Sequence, residues 1–184
     1  MAEEFKQMHE HLRQREVAMT QLLTLMTTGV TTATGAIAAY VFQIISSSPE
    51  RITWWHCYLL LVPVPFIMFG MKMLTAHRDD IFKIGYYINV FFEERFSGPA
   101  WHIRLAHLRY MGESQDPAVY VAWTLFSFNS ILFVISIFIW TKEVSPHALV
   151  IVPVFFVMLW QSKQFLKNRD YIKDAWIDVR NNEG

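Results

Sequence analysis

The sequence predicts an all-α integral membrane protein with four transmembrane helices and helical extensions beyond the membrane. Three observations carry that prediction. Four apolar runs, residues 17–45, 54–74, 118–140 and 147–166, match the roughly 20 residues that a membrane-crossing helix needs. Only 17% of the residues are charged and the mean hydropathy is +0.24, whereas an ordinary soluble domain carries about 25% charge. The basic residues are also sorted: fourteen of the sixteen fall before the first run, in or around the segment 75–116, or at and beyond the end of the fourth run. Only Arg51 and Lys142 lie in the two short links. The positive-inside rule then places both ends and the middle segment in the cytoplasm, with the chain as one multi-pass domain of a cell membrane.

The elements follow in order. The first 16 residues are too charged for a secretory leader, so the first apolar run reads as a retained span. Phe5, Met8, Leu12 and Met19 recur at helical spacing and lead into it, which predicts one helix over 2–45. Ser46-Ser47-Ser48-Pro49 ends that helix. In the second run Pro63 and Pro65 free backbone carbonyls and predict a kink. Ile81, Ile84, Ile88 and Phe91 extend an apolar stripe past the second span, Gly98-Pro99 breaks it, and 101–111 reads as a short helix. Asp116-Pro117 and Ser145-Pro146 cap the third and fourth runs, and the short link between these runs makes them an antiparallel hairpin. Pro153 predicts a second kink. Phe165, Ile172, Trp176 and Val179 continue a helical face past the fourth run. Such stripes require burial against one another, a partner subunit or the membrane surface. Trp54, Trp55 and Trp140 suit an outer aromatic belt, and Cys57 is expected near the outer face, within reach of an impermeant thiol reagent.

Several chemistries find no support. A net charge of +0 gives nucleic acid no electrostatic footing. One cysteine excludes an internal disulfide and a cysteine-based metal cluster. His9 and His11 lack the i, i+4 spacing of two ligands on one helical face, and His102 and His107 are five apart. His77 lies beyond the second run, and His56 and His147 fall near the outer interface, so no pair within the membrane could hold a haem. Arg78-Asp79-Asp80 and Glu93-Glu94-Arg95 read as charges that solvate helix ends or pair between subunits. No nucleophilic triad, phosphate loop or metalloprotease pattern is present. A transporter would want acidic residues inside the apolar runs and more spans for inverted repeats. Neither catalysis, nor a metal, nor a cofactor is therefore expected.

The first run differs from the others. Thr20, Thr24, Thr27, Thr31, Thr34 and Gly35 fall within roughly 100° of helical arc, flanked by Gln21, Thr28 and Thr32. The opposite face, with Leu22, Leu23, Met26, Val30, Ile37, Tyr40, Val41 and Ile44, suits lipid. Continued toward the start of the chain, the hydroxyl face meets Lys6, His9, Arg13 and Glu16. Two readings stay open. Small and hydroxyl residues let helices pack closely in lipid. They also line water-filled ion paths, with His9, Arg13 and Glu16 at the cytoplasmic mouth. One helix cannot enclose a path, so the second reading demands a ring of identical subunits. In the third run Asn129, with Ser136 on the same face, is expected to make a polar contact with another helix. The leading expectation is a homo-oligomeric ion-conducting pore. The alternative is a membrane scaffold or signalling component whose cytoplasmic helices dock another protein.

The stretch from His77-Arg78 through Tyr86-Tyr87-Ile88 to Phe91-Phe92-Glu93-Glu94, then Gly98-Pro99-Ala100-Trp101, resembles small bacterial membrane proteins. It is similar to the channel-forming effector of Hailong-type anti-phage defence systems. About forty residues and the membrane layout carry the likeness. It implies a bacterial oligomeric channel whose opening disrupts the membrane, and it assigns no functional residue.

Overall fold

The computed structural model describes residues 2–93, 117–141, 146–167 and 169–182. The Gly98-Pro99 break, the helix expected over 101–111, the capping residues Asp116 and Ser145, and the link 142–145 lie outside the described residues, as do His102, His107, Glu94 and Arg95.

All described elements are helical. α1 (Ala2–Ser47) is one unbroken helix of 46 residues, about 69 Å long at 1.5 Å per residue. No proline interrupts it until Ser48-Pro49, where the residue before proline leaves the helical region. A 3-10 turn over Pro49–Arg51 leads to α2 (Trp54–Leu59) and α3 (Pro63–Ile88), which runs into a π-helical turn over Asn89–Glu93. α4 (Pro117–Thr141) follows, then a 3-10 turn over Pro146–Val150, α5 (Ile151–Leu166) and α6 (Asp170–Asn182).

Three stretches, Glu3–Ser47, Trp54–Phe92 and Ala118–Thr141, are long and apolar enough to cross a membrane. The fourth apolar run differs from expectation. Its α-helix has 16 residues, short of a span by itself, because the first turns before Pro153 are wound as 3-10 helix. At the kink expected at Pro63 and Pro65 the α-helix is interrupted by a short, tighter turn in which Leu60 and Val62 keep right-handed helical dihedrals. The amides of Leu60, Leu61 and Val62 bond back three residues, to Cys57, Tyr58 and Leu59 at 2.9–3.1 Å, and Pro63 restarts the helix at its first position. That position costs proline nothing, since its N–H would have no helical partner there.

α3 is the centre of the bundle and touches α1, α4, α5 and α6. The apolar stretch within Trp54–Phe92, which includes α3, is 44% buried, against 17% for α1, so α1 packs by one face and leaves the rest uncovered. The packed face corrects the sequence reading. Met26, Val30 and Val41 do not face lipid; they enter the core against α2, α3 and α4. A core and a lipid phase both accept apolar side chains, so the pattern alone did not separate them. Gly70 lets α1 and α3 approach: a Cβ there would collide with the Met26 side chain. One core layer gathers Met26, Ile67, Met71, Phe126, Met158 and Phe165, and a second gathers Val41, Cys57, Leu60, Phe133 and Ile137. Cys57 is wholly buried in the second layer, out of reach of the thiol reagent expected to find it. The ends of α1 and α4 and the start of α2 thus share one end of the bundle. The start of α1, the end of α3 and the end of α5 share the other, which carries most of the basic residues.

Candidate functional site

Two features hold the polar residues: the uncovered face of α1, and a cluster at the basic end.

On α1, Thr20, Thr24, Thr31 and Gly35 are exposed and Thr27 is half-buried. Thr20 and Thr24 donate their hydroxyl protons to the carbonyls of Glu16 and Thr20, both at 3.0 Å, and Thr27 donates to Leu23 at 2.8 Å. Hydroxyls bonded in this way turn their remaining lone pairs outward. Gln21, Thr28, Gly29, Thr32, Ala36 and Ala39 widen the same exposed surface. A Cβ built on Gly29 or Gly35 would meet nothing within 4 Å, so neither glycine serves packing among the described residues. Leu25, 71% exposed, is the one large apolar side chain exposed between Val17 and Tyr40. The outer surfaces of α3, α4 and α5 are the opposite, covered by Phe66, Phe69, Phe128, Ile131, Phe138 and Phe156.

Thr34 leaves the stripe. It is 1% exposed and donates to Asn129 Oδ1 at 3.0 Å, while Asn129 Nδ2 donates to the Leu125 carbonyl at 2.8 Å. The pair sits between the two core layers and ties α1 to α4. Its place on the edge of the hydroxyl arc explains the change: a rotation of a few tens of degrees carries the edge into the core. Ser136 is buried on the same helix as Asn129 and donates to Leu132 at 2.9 Å. Of the residues read as a mouth, Arg13 is exposed, Glu16 is half-buried, and half-buried His9 packs edge-on against Phe5 at 4.4 Å.

At the basic end, Arg169 is 4% exposed. Its Nε donates to Asp79 Oδ1 at 2.8 Å, Nη2 to the Gln164 carbonyl at 2.7 Å, and Nη1 to the Phe165 and Lys167 carbonyls. One guanidinium therefore closes the carbonyl end of α5 and fixes it to α3. Arg78 lies 4.5 Å over the Phe165 ring. Tyr86 donates to Asp170 at 3.0 Å, Trp176 Nε1 to the Lys83 carbonyl at 3.1 Å, and Arg180 to the Val90 carbonyl in the π turn at 3.1 Å. Burial and the neighbouring Asp170 and Asp174 carboxylates push the Tyr86 phenol up to about 12, so it remains a donor at neutral pH. From α1, Arg15 faces Asp80 at 3.6 Å, and Tyr87 donates to Glu4 at 2.7 Å.

This cluster is not legible in the sequence. Asp79 and Arg169 are 90 positions apart, and each alone reads as a solvated charge. The two orphan stripes, Ile81 to Phe91 and Phe165 to Val179, were the available signal, since each needed a partner; Trp176 meets Tyr87 and Phe91 where they join. Among the described residues no three His, Cys, Asp or Glu side chains converge as a metal would require.

Fold and surface define a helical, membrane-associated protein. No family model, no curated protein and no solved structure matches the chain.

Proposed function

We propose that the chain is one subunit of a homo-oligomeric, non-enzymatic ion-conducting pore in a lipid bilayer, with α1 innermost and its hydroxyl face lining the path. The contrast between the uncovered face of α1 and those of α3 to α5 carries this reading. Lipid is suited by Phe, Ile and Val, which α3 to α5 offer. Glycine in a helix interior costs about 1 kcal/mol relative to alanine, and nothing among the described residues exploits the absent Cβ of Gly29 or Gly35. Close approach by a copy of α1, or room for water, supplies a use for both. Threonine oxygens that have already donated their protons suit the replacement of an ion's hydration shell.

In this reading the fourth run also spans. Sixteen α residues and five 3-10 residues extend about 34 Å together, against a hydrocarbon core of about 30 Å. The basic end then faces the cytoplasm. The resemblance to a defence effector adds that opening would disrupt the membrane of a bacterial cell.

The test is conductance of the purified protein in planar bilayers, with oligomer size read by native mass spectrometry. Thr24→Leu and Thr31→Leu place bulk on the lining without touching the core. Each is expected to lower conductance at least tenfold in an intact oligomer. Intact oligomers with unchanged currents would overturn the assignment of α1 to the path.

A further inference from the structure

We propose that α6 is an autoinhibitory clasp: seated on the basic end of α3, it fixes the inner segment of α1 and so holds the path shut. This rests on the pore reading above.

The geometry joins the three elements through few residues. Tyr87 on α3 touches both flanking helices. Its hydroxyl donates to Glu4 of α1 at 2.7 Å, and its ring meets Trp176 of α6 edge-on at 5.2 Å. The consecutive carboxylates Asp79 and Asp80 divide in the same way. Asp79 receives Arg169 from the α5–α6 junction, and Asp80 faces Arg15 of α1. Phe5 of α1 packs on Phe92 at 5.4 Å, in the π turn whose Val90 carbonyl is capped by Arg180 of α6. Removing α6 takes away the ring that seats Tyr87 and the donor that caps the π turn. Both positions are holding points of α1.

α6 is built to leave. Ile172 is its one buried side chain, and among the described residues its contacts with α3 include hydrogen bonds and ring contacts near the surface. Elements with few buried apolar contacts open at the low end of a protein's stability range. α5 ends at its cap residue Lys167 (ψ 135), and Arg169 anchors the start of α6 to α3 and to the end of α5, so release begins beyond Arg169. Release would also be felt at a distance. α1 is one unbroken rod, so freeing residues 4–15 lets its inner end swing about the anchors at Met26, Val30 and Thr34. A pore open at rest would drain its own cell, which makes the docked state the closed one.

The experiment uses the full chain with Cys57→Ser in vesicles of phosphatidylcholine and phosphatidylglycerol. Trp176→Ala/Arg180→Gln serves as the release variant. Tyr86→Cys/Asp170→Cys, bridged by a short bis-maleimide, serves as the lock. Arg169 is left in place, because its loss would strip a donor from Asp79 and three carbonyls and confuse release with misfolding. Release is expected to speed amide exchange at least tenfold over both 170–182 and 2–16, and to raise open probability at least fivefold. The lock is expected to hold exchange and opening at or below the level of the unaltered protein. Continued protection of α6 in the release variant overturns the proposal. So does a freed α6 with 2–16 still protected, or with opening unchanged. Freed 2–16 with no current from any variant, the unaltered protein included, defeats the pore reading and leaves the mechanical coupling standing.

Discussion

Thr31 and Thr34 are one turn apart on α1 and meet different neighbours. Thr31 is exposed, whereas Thr34 is buried against Asn129. In lipid, an interhelical hydrogen bond of this kind contributes about 0.6 kcal/mol on average and rarely more than about 1.7 kcal/mol. Thr34→Val keeps the shape and removes the donor, leaving Asn129 Oδ1 buried without one. The expected destabilisation is about 1 kcal/mol, since an orphaned polar atom costs more than the bond itself contributes. Asn129→Leu in the Thr34→Val background should add little, because both ends of the bond are then gone. Reversible unfolding in bicelles measures both; strictly additive effects would show that the two residues are not coupled. Thr31→Val, exposed and outside the core, should leave subunit stability within about 0.5 kcal/mol of the unaltered protein.

Elements show what the sequence could and could not reveal. The length of α1 was legible, because no proline falls between Ala2 and Ser48 and apolar residues recur throughout. The direction of its faces was not, since Met26, Val30 and Val41 suit core and lipid equally. Pro63 and Pro65 announced a disturbance, but its size depended on tertiary packing: Cys57 and Leu60 are anchored in one core layer, Ile67 and Met71 in the other, and the α-helix is interrupted between them. The hydroxyl face of α1 was legible as a pattern, with Thr34 lost from its edge. The Arg169 and Trp176 contacts were not, because nothing local marks a guanidinium that reaches back to its own helix end. The crossing of α1 and α3 gives the element its own prediction. Gly70→Val inserts bulk where Met26 lies and should lower subunit stability by about 1–3 kcal/mol through overpacking. Gly35→Val adds bulk into open space and should leave the isolated subunit folded while weakening its assembly. Circular dichroism melting of the subunit, paired with chemical cross-linking in vesicles, separates the two. Equal loss of subunit stability in both variants would show that Gly35 is packed after all.

At the scale of the molecule, orientation is the property on which the pore reading depends most. The two ends of the bundle differ in chemistry. One carries Trp54 and Trp55, 56% and 44% exposed, beside the Thr53–His56 and Tyr58–His147 contacts. The other carries Lys163, Lys167, Arg169, Lys173 and Arg180 together with the basic residues of α1 and of the end of α3. Indole rings settle at either interface, so the aromatic end alone does not choose a side; the lysines and arginines do. Cys57 cannot report the choice because its thiol is sealed in the core. In a Cys57→Ser background, a cysteine at the exposed Glu50 marks one end, and cysteines at the exposed Gln7 and Asn181 mark the other. An impermeant maleimide added to intact cells should label Glu50→Cys at once, and Gln7→Cys and Asn181→Cys only after the membrane is permeabilised. Labelling of Gln7→Cys and Asn181→Cys from outside would turn the molecule over. Labelling of one but not the other would mean an odd number of crossings. In that case α5 and its 3-10 turn do not span, and three membrane helices, not four, surround any path.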